Sequence, residues 1–345
     1  MSARDAARAR FLAAAGWGGA AAHPLAGDAS ARRYLRLVRD GGGGGETAVL
    51  MDAPPEGGED TGPFRAIAAH LRGLGLSAPA ILAADAEAGF LLLEDLGDGL
   101  FARLAAGDAA REHALYAAAV DLLAGLHRHP PPAGLSRLDP ATLGPMTGLA
   151  FTVYGPAAGA AAAPAAAPDA AAEIARAAAA LGPAPEVLVL RDFHAENLLW
   201  LPGRAGPARV GLLDFQDAVT GHPAYDLVSL LDDARRDVPP ALRAAMLARY
   251  AAAAHWAPAP DGLAAAAALL SAQRNLRIMG VFARLCLQAG KARYVDLMPR
   301  VWAHLGRALA SPGLEPLRTI VETALPHPDD ATRARLKARC RAPTP

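Results

Sequence analysis

The 345-residue chain has only two cysteines, Cys286 and Cys340, and they stand far apart. That excludes a disulfide framework and a paired-cysteine metal site, and it suits a protein kept in a reducing cytoplasm. An excess of one charge is also missing: Lys and Arg number 34 against 34 for Asp and Glu, a formal net charge of +0. The electrostatic footprint of a nucleic-acid binder is therefore absent, and a small, locally recognised partner fits better. No apolar run approaches the ~20 residues needed to span a bilayer, so no membrane partner is expected. Aromatic residues make up 5% of the chain, and the hydrophobic fraction reaches 53% chiefly through alanine. Residues 1–22 are alanine-rich and carry arginines, as a transit peptide does, but Asp5 and the lack of a serine-rich tract favour a surface helix ending at Gly16.

What is present is organised around residues 187–200, V-L-V-L-R-D-F-H-A-E-N-L-L-W. An aliphatic run ends in Asp192, Asn197 follows five positions later, and a second apolar run begins. A third run, Gly211-Leu212-Leu213, ends in Asp214-Phe215-Gln216-Asp217. Short apolar runs bounded by turn signals read as buried strands, and Pro202-Gly203 with Gly206-Pro207 supplies the hairpin between the second and third. Three strand ends would then deliver Asp192, Asn197 and Asp214 to one place. An acid, an amide and a second acid so arranged suit phosphoryl transfer: one carboxylate takes the proton of an attacking hydroxyl, while the amide and the other acid hold magnesium against phosphates.

These residues resemble the protein-kinase-like superfamily, and its aminoglycoside phosphotransferase branch most closely, since His194 stands two places after Asp192. The resemblance implies an α+β, two-lobed protein-kinase-like fold, with a small antiparallel-sheet N-lobe (residues 1–96) and a larger, mainly helical C-lobe (residues 97–345). It makes Asp192 the catalytic base and Asn197 and Asp214 the metal ligands, with ATP and Mg2+ as cofactors. One position departs: the family's histidine two residues before the base is Leu190 here, which bears on how the loop is supported rather than on the chemistry.

Along the chain, residues 20–25 suggest a short strand leading into Gly27-Asp28-Ala29-Ser30-Ala31-Arg32-Arg33. Strand residues Tyr34, Leu35, Leu37 and Val38, five glycines at 41–45 and the strand 47–51 follow. This order suits a nucleotide-covering hairpin, in which backbone N–H groups and the Ser30 hydroxyl approach phosphate oxygens. Most kinases carry a lysine on the third strand; here the run is Val49-Leu50-Met51-Asp52, so Arg32 or Arg33 is the available cation, or else a surface arginine. Residues 63–73 read as a helix with Phe64, Ile67, Ala68 and Leu71 on one face. Strands at 80–83 and 90–93 end in Glu94-Asp95-Leu96-Gly97, the composition of a hinge where backbone groups at Glu94 and Leu96 meet the adenine edge.

The second half is expected to be helical. His127 and His129 end a helix at 109–128, where they would complement the helix dipole before Pro130–Pro132 stops it. The assignment of 147–154 is open. The alanine-proline stretch 157–167 reads as a mobile surface segment, and helix resumes at 170–181. Asp226 suits an N-cap, and the family's matching acid braces the catalytic loop. Helices follow at 240–254 and 263–289. In the latter Gln273, Arg277, Arg284 and Gln288 form a stripe, either a solvated face or a wall of the acceptor pocket. The charged tail from Pro328 reads as loosely attached.

Five segments resemble one subgroup of the family more specifically: G-D-A-S-x-R-R-Y at 27–34, V-L-M-D-A-P-P at 49–55, D-F-Q-D-A at 214–218, Y-D-L-V-S-L-L at 225–231 and Q-R-N-L-R-I-M-G-V-F-A-R-L at 273–285. They look like the anomeric N-acetylmuramate/N-acetylglucosamine kinases of cell-wall recycling, in which the missing strand lysine is expected. The resemblance implies a cytoplasmic enzyme that phosphorylates the C1 hydroxyl of a small amino sugar, and a monomer is expected. It leaves His194, Gln216, Asp217, Arg274 and Arg277 as candidate acceptor residues, either arginine being a partner for a lactyl carboxylate. An aminoglycoside kinase would instead need an acidic wall, for which Asp232, Asp233 and Asp237 are candidates if they are not simply a solvated helix end. A non-catalytic scaffold is opposed by retention of Asp192, Asn197 and Asp214. A zinc deaminase, suggested by His194-Ala195-Glu196, lacks the cysteine pair it requires.

Overall fold

The computed structural model describes residues 2–25, 32–39, 45–256 and 260–341. The chain parts into two compact units, Met1–Leu115 with Glu196–Asp217, and Tyr116–Ala195 with Ala218–Pro345. The division falls inside the helix Ala109–Leu126 rather than after Leu96, and a hairpin from the middle of the sequence joins the first unit.

The first unit opens with the helix Ala3–Ala14. Ser2 caps it: its hydroxyl accepts the Asp5 N–H at 3.1 Å while the Asp5 carboxylate accepts the Ser2 N–H at 3.1 Å, which satisfies two otherwise orphaned donors. Five strands follow, β1 (Ala21–Leu25), β2 (Arg33–Arg39), β3 (Glu46–Asp52), β4 (Ile81–Asp85) and β5 (Phe90–Glu94), in an antiparallel sheet of order β1-β2-β3-β5-β4. The period of two along β3 and β5 turns Ala48, Leu50, Phe90 and Leu92 to the face where Phe11, Leu12 and Trp17 of the N-terminal segment pack. The helix Gly62–Gly73 buries Phe64, Ile67, Ala68 and Leu71, the four positions on one face at helical spacing.

Two more strands complete this unit, β7 (Leu198–Trp200) and β8 (Val210–Leu212), paired antiparallel with Leu198 opposite Leu212. The hairpin is tied to the unit by backbone bonds: Leu212 N–H donates to the Ser77 carbonyl at 2.9 Å and Trp200 N–H to Gly99 at 2.7 Å. The Arg204 side chain adds a bond to the Ser77 hydroxyl at 2.6 Å.

In the second unit β6 (Val187–Val189) pairs antiparallel with β9 (Val219–Gly221). The strands on either side of the Asp192 loop therefore do not pair with each other. The 30-residue helix Pro260–Ala289 is the spine of this unit, packed against Ala224–Leu231, Met298–Leu309 and the π-helical turn Ala150–Tyr154. Gly280 is what admits that turn: a Cβ there would stand 2.4 Å from the Leu149 backbone carbon and 2.5 Å from the Ala150 nitrogen.

Several expectations are corrected. The alanine-proline stretch is ordered, with a helical turn at Gly155–Ala158 and a 3-10 turn at Ala163–Ala166, and Ala157, Ala158 and Ala163 are buried. Small side chains there permit close packing rather than freedom. The tail forms the helix Asp330–Ala338, capped by Asp329 and anchored by buried Thr332 and Leu336. His127 is buried and bonded to the Tyr250 hydroxyl at 2.7 Å, and burial pushes it down to about 3, so it carries no charge for the helix dipole. Asp232 and Asp233 are buried, not solvated: Asp232 is held by Arg243 at 2.9 Å, Arg307 at 2.7 Å and Ser271 at 2.5 Å. The stripe on the long helix is buried at Gln273, half-buried at Arg277 and exposed at Arg284 and Gln288.

Candidate active site

Asp192 stands in the second unit, three residues past β6. The loop that presents it is strained, since Arg191 adopts φ 69, a left-handed backbone that a side-chain-bearing residue seldom takes. Asp226 secures it. Its carboxylate accepts the Leu190 N–H at 2.6 Å and the Arg191 N–H at 2.8 Å, while the Ser229 hydroxyl donates to the Arg191 carbonyl at 3.0 Å. Arg274 in turn donates from Nη2 to the Ser229 oxygen at 2.7 Å. Asp226 thus sits in the first turn of the helix Ala224–Leu231 rather than at its N-cap, which is Pro223. Burial pushes its carboxyl up to about 7, against the two N–H donors and Arg274. Leu190, where the family's histidine is absent, is buried, so the loop is supported by packing and by Asp226.

Asp192 itself is half-buried and His194 buried, with the His194 ring 3.3 Å from Arg235 Nη1. Arg274 is 5% exposed and is drawn into the Ser229 bond, whereas Arg277 lies one turn further along the same helix. Arg277 is lowered below its ordinary value by burial and by the Arg191 and Arg274 guanidiniums, with Tyr225 and Asp192 acting oppositely. The Y-D-L-V-S-L-L segment therefore supplies Tyr225, Asp226 and Ser229 around the loop. Of these the sequence singled out only Asp226.

Asn197 and Asp214 belong to the first unit, at the start of β7 and beyond the end of β8. The pairing of those strands brings them together: Leu213 N–H donates to the Asn197 carbonyl at 3.0 Å, and Asn197 Nδ2 stands 3.4 Å from Asp214 Oδ2. Asp214 is exposed at φ 56, and Gln216 Nε2 donates to its Oδ1 at 2.8 Å. Gln216 is buried, and this bond makes it a support of the Asp214 carboxylate. Phe215, fully buried, stacks on Phe64 with ring centroids 4.9 Å apart and fixes the segment between them. Asp217 is exposed. Tyr34 on β2 is a neighbour the sequence did not assign to the site: burial and then Asp214 push its hydroxyl up to about 12.

An amide and a carboxylate are hard oxygen donors in a number that suits magnesium, which fills its remaining positions with water and phosphate oxygens. The residues present therefore fit a magnesium-nucleotide better than a cage built from protein alone. Among the described residues no three His, Cys, Asp or Glu gather as a metal cluster.

The expected nucleotide-side residues are only partly assembled. Ser30 and its loop lie outside the described residues. Arg33 is exposed at the start of β2, while Arg32 is engaged by Glu59 at 2.6 Å. Met51, at the place of the missing lysine, is fully buried. The Glu94 side chain is occupied by Arg204 and, at 3.5 Å, by Arg72, and its backbone N–H donates to the Ala80 carbonyl at 2.8 Å. Leu96 is half-buried, and Arg36 braces the segment on both sides through Asp95 at 2.7 Å and Asp98 at 2.8 Å.

Comparison with known proteins gives a consistent picture. A model of the "Phosphotransferase enzyme family" matches residues 21–266. An N-acetylmuramate/N-acetylglucosamine kinase of Caulobacter vibrioides is 41% identical over 94% of this chain and 98% of its own. A protein of the same name from Pseudomonas aeruginosa is 34% identical over 89% of this chain and 90% of its own. In fold the chain is similar to a choline/ethanolamine kinase family protein from Mesorhizobium loti, with a TM-score of 0.58, 17% identity, and coverage of 92% of this chain and 99% of that one. No described helix is long and apolar enough to cross a membrane.

Proposed function

The chain belongs to the phosphotransferase enzyme family, and from that premise we propose that it is an ATP-dependent kinase of N-acetylmuramate, N-acetylglucosamine or both, acting on the anomeric C1 hydroxyl. The observation that carries this reading is the similarity, along nearly its whole length, to relatives bearing that name. The loop chemistry supports it independently, because the family's base, amide and second acid are all present.

In this reading Asp192 orients the C1 hydroxyl and takes its proton as the oxygen attacks the γ-phosphorus, whose bond to the β–γ bridging oxygen breaks to release ADP. An anomeric hydroxyl is more acidic than an ordinary alcohol, so a carboxylate suffices in a loose transition state. Asn197 and Asp214 hold magnesium, with Gln216 fixing the Asp214 carboxylate. Magnesium, when bound, neutralises charge developing on the transferred group. Backbone groups of Glu94 and Leu96 serve the adenine edge and Arg33 the phosphates, a role that the sequence alone also gives to Ser30. His194 and Asp217 serve the acceptor. The reaction is read as cytoplasmic, where ATP is supplied, and the enzyme as a monomer.

An aminoglycoside acceptor is disfavoured by a specific observation. The acidic wall it needs is not supplied by Asp232, which is already engaged by Arg243, Arg307 and Ser271. Turnover of ATP with N-acetylmuramate, N-acetylglucosamine and an aminoglycoside, compared on one preparation, tests the assignment. A sugar 1-phosphate is expected with at least one sugar. ATP turnover with the aminoglycoside alone would reverse the choice.

A further inference from the structure

The second unit holds hydrogen-bond donors that its own fold leaves unused. Arg277, on the helix Pro260–Ala289, is half-buried and makes no hydrogen bond or ion pair among the described residues. Tyr225 is 1% exposed, and its hydroxyl has no hydrogen-bond partner among the described residues. Arg274 is 5% exposed and uses Nη2 on Ser229, yet its Nε has no hydrogen-bond partner among the described residues. The helix Ala224–Leu231, which carries Tyr225, packs against the helix that carries both arginines. Buried polar groups in native proteins are almost always paired, so the buried Tyr225 hydroxyl and Arg274 Nε, together with the half-buried Arg277 guanidinium, leave donors for an acceptor from outside the fold.

The charges around them say what kind. The groups acting on Arg277 are Tyr225, Arg191, Arg274 and Asp192, two cations and one carboxylate besides the phenol. The nearby Asp226 carboxylate is already taken up by the Leu190 and Arg191 N–H groups. The Asp233 carboxylate acts on Arg274, so it is Arg277, with two guanidiniums and the single Asp192 carboxylate acting on it, that is short of acceptor oxygens and of negative charge together. A carboxylate brings both, and guanidinium binds it with charge-assisted bonds in a geometry that a neutral hydroxyl cannot reproduce.

We propose that Arg277, with the Tyr225 hydroxyl beside it, binds a carboxylate carried by the acceptor sugar, so that the enzyme prefers the lactyl-acid sugar N-acetylmuramate over neutral N-acetylglucosamine. The inference rests on the sugar-kinase reading above and selects Arg277 over Arg274, which is already committed to supporting the Asp192 loop through Ser229.

The test compares kcat/KM for N-acetylmuramate, for the same sugar with its lactyl acid converted to the amide, and for N-acetylglucosamine. It is run with the unaltered enzyme, Arg277→Met and Arg277→Lys. Losing a charge-assisted hydrogen bond corresponds to about a 10- to 100-fold fall, so the unaltered enzyme is expected to favour acid over amide by that factor. In Arg277→Met the acid-to-amide ratio is expected to fall close to unity, and in Arg277→Lys to recover in part. Equal kcat/KM for acid and amide in the unaltered enzyme overturns the proposal even if a variant fails to fold. So does full acid preference in Arg277→Met. A rise in KM for ATP in Arg277→Met, with the sugar ratio unchanged, would mean that the anion read is a phosphate and the proposal is wrong. Turnover of both sugars without acid preference sinks this inference and leaves the kinase reading standing, whereas turnover of neither sinks both.

Discussion

The Arg191 backbone N–H donates to the Asp226 carboxylate at 2.8 Å, 35 residues apart in the chain. The same carboxylate takes the Leu190 N–H at 2.6 Å, so one buried side chain holds the two residues that precede Asp192. Arg191 is left-handed at φ 69, a conformation that costs a non-glycine residue about 1–3 kcal/mol and persists only when its surroundings enforce it. The direction in which Asp192 leaves the loop is therefore set from the helix Ala224–Leu231.

Asp226→Ala leaves two N–H groups without acceptors, at about 1–3 kcal/mol each. Thermal unfolding should show a lowered midpoint, and kcat should fall more than KM for ATP rises. Unchanged kcat at a temperature where the variant is folded would remove Asp226 from the positioning role.

Asp226 is also a source of pH dependence. Burial raises its folded-state value from 3.8 to about 7, so folding favours its protonated form. Its contribution to stability is full below about pH 4 and is lost as pH rises towards 7. The difference in unfolding midpoint between the unaltered protein and Asp226→Asn is expected to shrink across that interval. His127 acts in the opposite direction. Lowered from 6.5 to about 3, it contributes fully above pH 6.5, and that contribution is lost as pH falls towards 3. His127→Gln should flatten the acid limb of the stability curve, and an unchanged limb would contradict the assignment.

Gln216 supports Asp214 from behind with a 2.8 Å bond. Outer partners of metal ligands typically matter about 10- to 100-fold in metal affinity. Gln216→Ala is expected to raise by that factor the magnesium concentration giving half-maximal turnover. A magnesium titration superimposable on that of the unaltered enzyme would return Gln216 to the acceptor role read from the sequence.

Gly280→Ala is expected to destabilise the second unit, because the added methyl meets backbone at 2.4–2.5 Å where neither partner can turn aside. Overpacking of this kind costs about 1–3 kcal/mol. Chemical denaturation should show a lowered midpoint, and equal stability would mean that Leu149 and Ala150 move without strain.

What could be read from the sequence was whatever repeats at a fixed period or sits in a short fixed spacing. The helix Gly62–Gly73 buries Phe64, Ile67, Ala68 and Leu71 because spacing alone aligns them. Asn197 and Asp214 meet because a hairpin turn was legible between their strands. The pairing of β6 with β9 was not legible, since three-residue strands carry no register and the partner follows Asp217. The alanine-proline stretch misled because alanine packs as closely as it tolerates solvent, and only the neighbours decide which. The buried half of the Gln273–Gln288 stripe was hidden for a related reason: polar side chains on a helix signal solvent unless partners such as the Leu143 carbonyl, 3.0 Å from Gln273 Nε2, are known. The Asp226 brace joins two segments whose proximity no local pattern encodes, and only the family resemblance led to it.

The central claim is that Asp192 deprotonates a sugar C1 hydroxyl. The direct measurement is incubation of the purified protein and of Asp192→Asn with ATP and each amino sugar, with detection of an acid-labile sugar 1-phosphate and, in parallel, of nucleotide binding. The account expects the 1-phosphate from the unaltered protein, and its loss from Asp192→Asn while nucleotide binding persists. Product formation by Asp192→Asn at the unaltered rate, or a phosphate on any other hydroxyl, would contradict it.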